Sequence, residues 1–498
     1  MARRPSSSRS ILTNVDSWMA RPRELTEMVM REPPNVADHK LIQQLFSDDY
    51  TPGLFRINER VPTAEFLWDE NIRDYREWVM GIVHADLQSL KRYRGDMTAL
   101  TDEVSESLAR SILAALDLPY RGQALSASHT NQQADALIWR IVKLFTCNDP
   151  DISLPIQDAF NKLGRATVIP ILPSFSDLPL DEMWRISIDA GLIGIEIKER
   201  FLGTRQTSPG SLRRAIPLKT ESGTSAAREV RDELMRRRTE PLGLDFRQEY
   251  FAEVLAANAP RSVVWLTDDY IETIFDLKLI EAQVRVKPDL YFTIIPRDGS
   301  HRQDASFDDI MKLLAEEKPL SQVAELRESG RLHICPAGPR TSSIDGRMLS
   351  GEAATHLINA DVVVVKGARS FEMLQGIKKP AYYCLSGNHS FTESITGLDM
   401  DLAQGILLRQ DPGVLTYADF RTRATRRART ASGREYGLAR MTALEYATAR
   451  RSEDYKAHLE RFDYQVDECN AWLLARAGQL GCTFSEVTSG RRSGPAWT

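Results

Sequence analysis

The chain has 498 residues, more than a single hydrophobic core usually accommodates, so two or three lobes are expected. Hydrophobic residues make up 42% and charged residues 27%, ordinary values for a folded globular protein. The net charge of −5 argues against a protein devoted to binding nucleic acid. No apolar run approaches the roughly 20 residues that span a bilayer.

The first residues, "MARRPSSSRS", are basic and serine-rich, with no apolar stretch behind them to serve as a secretory signal core. Residues 1–15 read as a disordered arm, and the chain as a cytoplasmic protein with no membrane partner. From 16 to 240 the pattern is mainly helical. "LIQQLFSD", "IRDYREWVMGIVHADLQSL", "EVSESLARSILAALDL" and "NQQADALIWRIVKLF" each repeat apolar residues at three-and-four spacing. "ATVIPILPSFSD" reads as extended. A Gly-, Ser-, Thr- and Pro-rich stretch near 203–225 reads as a flexible loop.

From 245 to 415 short apolar runs end in small or polar residues: "VVWLTDD", "LYFTIIPRD", "RLHICPAG", "DVVVVKGARS" and "AYYCLS". Helical patterns such as "ETIFDLKLIEAQV", "FDDIMKLLAEE" and "EAATHLINA" lie between them. This alternation predicts an α/β fold, a doubly wound α/β/α sandwich, with "DVVVVKG" a strand buried on both faces. Ligands of such folds bind beyond the carboxyl ends of the strands. Residues 416–498 begin with a basic run, which reads as a solvated face. They continue as long amphipathic helices that form a helical extension, with a homodimer contact as one use for them. Five scattered cysteines, Cys147, Cys335, Cys384, Cys469 and Cys482, show no CxxC pair and read as reduced structural thiols.

Several predicted strand ends carry candidate chemistry. Asp268 and Asp269, with Glu272 one turn on, offer oxygens to a hard divalent cation; equally, one of the pair caps the next helix. Lys366 and Gly367, with Ser370, offer an ammonium, a close backbone N–H and a hydroxyl to a phosphate; a lysine snorkelling at a strand end is the plainer reading. Asn148 and Asp151 in "CNDPDISLP" suit either a ligand loop or an Asx-turn. In "SGNHS", Asn388 and His389 follow another strand, and His389 is a candidate base or ligand. "RDGSHRQD", with Asp298, His301 and Asp304, reads as a solvated loop. The P-loop, GxSxG, HExxH and GxGxxG signatures are absent.

These stretches together resemble the metal-dependent damage-control phosphatases, also described as the acidic-residue-methyltransferase-like family, over about residues 50 to 400. Phe55, Arg60 and Pro62 match its amino-terminal stretch. Asn148, Asp151 and Ser153 match "GNxxDLS". "VVWLTDDYIETIFDLKL" resembles the strand, Asp-Asn pair and helix of its metal site, and "INADVVVVKGARSFEML" resembles "ADLVIxKGDLNYRxL". The resemblance implies a helical lobe on an α/β/α sandwich. It also implies a divalent metal, such as manganese, cobalt or nickel, that polarises a phosphoryl group and activates water. The implied substrates are small phosphorylated metabolites, sugar phosphates among them.

The departures point to a strongly diverged member. Asp269 stands where an asparagine is expected, and the helix that follows is one residue out of step, so that aligned from that helix Thr267 and Asp268 take the pair's places. Ile295 aligns with the third metal aspartate unless a short gap brings in Asp298. Ala368 replaces a carboxylate, Ser370, Phe371 and Glu372 replace Asn, Tyr and Arg, and the basic phosphate anchors align with Asn388, His389, Ser390 and Phe391. Four functions follow: a repurposed enzyme working on a phosphate or diphosphate, a conventional metal-dependent phosphatase, a diphosphate-eliminating lyase using Asp268-Asp269-x-x-Glu272 with magnesium, and a catalytically silent metabolite- or protein-binding member.

Overall fold

The computed structural model describes residues 36–46, 83, 87, 102–117, 119–120, 123–124, 137–142, 153–202, 223–259, 261–299, 301, 303–338, 344–386 and 405–412. The expected arm at 1–15, most of the loop near 203–225 and the extension at 416–498 lie outside them, as do Phe55, Arg60, Pro62, Asn148, Asp151, Asn388 and His389.

The protein is an α/β fold built on a seven-stranded mixed sheet. Its strands are β1 (Leu244–Asp245), β2 (Arg261–Leu266), β3 (Leu290–Ile295), β4 (Leu332–Ile334), β5 (Val362–Lys366), β6 (Ala381–Ser386) and β7 (Gly405–Gln410). Their order across the sheet is β1-β7-β6-β5-β2-β3-β4. Strands β2 to β6 are parallel, while β7 runs antiparallel to β6 and pairs with β1 in parallel. The chain moves outward from β2 through β3 to β4, then crosses back to β5 on the other side of β2. The strand order therefore reverses between β2 and β5, where a crevice opens at the carboxyl edge of such sheets.

The helices used below are α1 (His39–Leu45), α2 (Asp102–Asp117), α3 (Leu154–Val168), α4 (Leu180–Leu202), α5 (Gly223–Arg237), α6 (Tyr270–Val286), α7 (Phe307–Glu316), α8 (Ser321–Glu328), α9 (Gly351–Asn359) and α10 (Ala368–Leu374). All five residues of β5 are buried, as expected of a strand covered on both faces. On one face Trp265 of β2 meets α6 and α4: its indole N–H donates to Asp276 at 3.2 Å, and its ring lies 5.5 Å from that of Trp184. Thr293 of β3, paired with Val264, has the opposite parity and meets His356 of α9. Helices α3 to α6 share one apolar core with the sheet. Helix α6 is buried along most of its length, including Glu272, Asp276, Lys278 and Glu281, and each of those charges is ion-paired.

"ATVIPILPSFSD" is not extended. Its first residues close α3, and Ile169–Phe175 forms a 3-10 helix containing Pro170 and Pro173. Proline fixes φ near −65°, and its missing N–H is tolerated in a first helical turn. The buried Ile171, Leu172 and Phe175 then hold this turn against the core.

Candidate functional site at the strand crossover

Asp268 follows β2 and Gly367 follows β5, so the two meet at the crossover point. Gly367 has φ +83, and a Cβ built on it would stand 1.9 Å from Oδ2 of Asp268. Both facts require glycine there: the left-handed backbone and the carboxylate occupying the side-chain space. The Gly367 N–H donates to the carbonyl of Cys384 at 3.1 Å, so the backbone at this turn is tied to β6. Asp268 itself is half-buried, and its carbonyl accepts from the Ala305 N–H at 2.8 Å.

Asp269 takes the capping role. Its carboxylate accepts from the N–H groups of Ile271 at 2.7 Å and Glu272 at 3.4 Å, satisfying donors that α6 leaves open. Gly194 of α4 packs so closely that a Cβ there would lie 2.7 Å from Oδ1 of Asp269. Burial, opposed by the N–H bonds and reinforced by Asp268 and Asp304, pushes the Asp269 carboxyl up to about 8.

Glu272 turns inward to Lys366. The ammonium lies 2.7 Å from Glu272 and 3.1 Å from Asp276, and it donates to the carbonyl and hydroxyl of Ser187. Asp276 also accepts from the Ser187 hydroxyl at 2.5 Å. Burial lowers an ammonium's pKa, but the two carboxylates outweigh it and raise that of Lys366. Burial raises both carboxyls, with Lys366 partly opposing it. The three titrate as a unit, with Lys366 charged. Lys366 is thus matched to Glu272 and Asp276 and is fully buried.

The loop after β3 is not a solvated loop. His301 and Asp304 are buried, Asp304 is 2.7 Å from Arg297, and His301 packs edge-on to Trp139 at 5.0 Å. Asp304 bridges to Asp269 through the backbone, while Gln157 and Asn161 of α3 donate to the Asp304 carbonyl and to Asp309. Asp298 is half-buried, three residues past the end of β3. Since Leu266 and Ile295 are paired, Asp268 and Asp298 leave adjacent strand ends. Ser370 and Thr267 are buried, and their hydroxyls have no hydrogen-bond partner among the described residues.

The crossover region gathers the carboxyl groups of Asp268, Asp269, Glu272, Asp276 and Asp304, of which Glu272 and Asp276 pair with Lys366 and Asp304 with Arg297. Such a concentration of carboxyl groups at a strand crossover is chemistry that can serve a bound cation. Asp304 was legible only as part of a polar loop, and its place beside Asp269 comes from the backbone bridges Asp269–Asp304 and His301–Asp304. A separate group, His333, Cys335, Glu352 and His356, brings its ligand atoms within 4.8 Å of one another elsewhere on the sheet. Its signal was in the sequence: His-x-Cys on a strand and Glu-x-x-x-His on a helix each put both residues on one face.

No protein-family model and no curated protein matches the chain. Among solved structures, the fold is similar to a crystal structure of a DUF89 family protein from Pyrococcus horikoshii. The TM-score is 0.47 at 16% identity, covering 67% of this chain and 97% of that one. What the site can do is read from its own residues.

Proposed function

We propose that the protein is a divalent-metal-dependent enzyme acting on a small phosphorylated metabolite in the crevice between β2 and β5. The observation that carries this reading is the Asp268 carboxylate set against Gly367 at the crossover point, with the carboxyls of Asp269 and Asp304 nearby. Asp268, with Asp298 from the neighbouring strand end, would hold the cation. Manganese, cobalt, nickel and magnesium all accept such oxygen ligands. The metal would supply charge neutralisation at a phosphoryl oxygen and an acidified water.

The chain's own residues do the rest. The Ser370 and Thr267 hydroxyls, lacking partners among the described residues, are free to donate to substrate oxygens. Asp269 fixes the start of α6 and so the direction of the Asp268 backbone. The Lys366–Glu272–Asp276 core beneath them locks β5 to α6 and keeps the strand ends in register. In this arrangement Glu272 is engaged by Lys366, which favours phosphoester hydrolysis over a lyase that would need Asp268, Asp269 and Glu272 around shared ions.

Calorimetric titration of the purified protein with manganese tests the reading. Binding that falls at least about tenfold in Asp268→Ala supports it. Equal binding by wild type and variant rejects Asp268 as a ligand. The engagement of Lys366 by two carboxylates favours one second reading, a catalytically silent metabolite-binding protein. It predicts ligand binding that does not respond to a divalent metal.

A further inference from the structure

On the face of the sheet opposite α6, the edge strand β4 and helix α9 present a different chemistry. His333 lies on β4 and Cys335 directly after it, two residues on, so both project from one face. Glu352 and His356 lie on α9, four residues apart, on one helical face. The packing brings the four together with all ligand atoms within 4.8 Å of one another. The His333 and His356 rings stack at 4.5 Å with 25° between their planes. His333 Nε2 is 2.9 Å from Glu352 Oε1, and His356 Nδ1 is 3.1 Å from the Thr293 hydroxyl. Those two pairs leave the Cys335 thiol unused, although its sulfur approaches the same point from the buried side.

We propose that His333, Cys335, Glu352 and His356 form a tetrahedral transition-metal site, of the kind zinc fills, that ties the edge strand β4 to α9. Two imidazoles, a thiolate and a carboxylate are a soft-to-borderline donor set, which selects zinc or cobalt(II) over magnesium and calcium. Donors on a zinc ion with bonds of about 2.0–2.3 Å stand ~3.3–3.8 Å apart, so the widest gap here closes by roughly 1 Å. Thr293 acts from behind: an Nδ1–H of His356 donating to its hydroxyl leaves Nε2 to ligate. On binding, the Cys335 thiol proton passes to solvent as the sulfur–metal bond forms. With four protein donors the site is closed, so its role is structural. The half-exposed His333 and Glu352 form its mouth, and the buried Cys335 its floor. No residue of the β2–β5 crevice takes part, so this site stands independently of the proposed activity.

Cobalt(II) titration of the chelator-stripped full-length protein tests it. The expected result is one equivalent that gives the visible absorption of tetrahedral cobalt with a thiolate-to-cobalt charge-transfer band, separate from any cobalt held at Asp268, and displacement of both signals by zinc. Cys335→Ser removes the charge-transfer band, Cys384→Ser keeps it, and Asp268→Ala leaves it unchanged. Glu352→Gln, at an exposed position that tolerates replacement, weakens binding at least about tenfold, and Thr293→Val weakens it about 10- to 100-fold. Absence of the tetrahedral spectrum, a charge-transfer band that survives Cys335→Ser, or a charge-transfer titration indifferent to Glu352→Gln overturns the proposal.

Discussion

The Asp268 carboxylate occupies the space that any side chain at Gly367 would need, with Oδ2 only 1.9 Å from the place of a Cβ. The two residues leave the strands between which the order of the sheet reverses, so one steric relationship fixes where this carboxylate sits at the crossover.

Gly367→Ala therefore acts twice. It strains a backbone at φ +83, which costs about 1–3 kcal/mol, and it drives Asp268 out of position. The expected outcome is a lower urea midpoint together with loss of manganese binding. A variant that is destabilised but binds manganese as wild type does would separate Gly367 from the site.

Asp269 gives a pH signature. Its carboxyl is raised from 3.8 to about 8 in the folded chain, so the native state keeps a proton that the unfolded chain has already lost. The stability from that proton is complete below about pH 4 and declines as pH rises toward 8, by up to about 1.4 kcal/mol per pH unit. Asp269→Asn retains a capping acceptor and removes this titration. In chelator-treated protein the variant should gain on wild type steadily from about pH 5 to pH 8 in urea denaturation. A pH-independent difference between the two would show that the carboxyl is not raised.

Lys366 is a test of the buried charge core. Replacing it by methionine leaves Glu272 and Asp276 buried without their cation, which costs about 3–5 kcal/mol. Adding Glu272→Gln and Asp276→Asn to Lys366→Met should recover much of that loss, because the uncompensated charges go with the cation. Equal destabilisation of the single and triple variants would mean that packing rather than charge dominates at this position.

Much of the fold was legible in the sequence because the parallel strands are short apolar runs with helices between them. "DVVVVKG" is the clearest case, and β5 is buried throughout. The short β1 and the antiparallel β7 carry too few residues or too little punctuation to be recognised in isolation. "ATVIPILPSFSD" misled because two prolines in an apolar run suit an extended segment as well as a 3-10 turn. At the site, the diacid was visible but the division of labour was not. Which aspartate caps α6 depends on the turn of one residue, and Glu272 finds Lys366 only when β5 is laid beside β2. The His-x-Cys and Glu-x-x-x-His pairs were not singled out, because each is ordinary on its own and they become one cluster only through the packing of α9 on the edge of the sheet.

Metal-dependent chemistry on a phosphorylated metabolite would centre on Asp268. The most direct measurement is phosphate release from a panel of sugar phosphates and other small phosphate esters, with manganese or cobalt and with chelator, for wild type and Asp268→Asn. Wild type should release phosphate in a metal-dependent way, and the folded variant should release at least about 100-fold less. Release that persists in chelator, or that Asp268→Asn leaves unchanged, would contradict metal-dependent chemistry at Asp268.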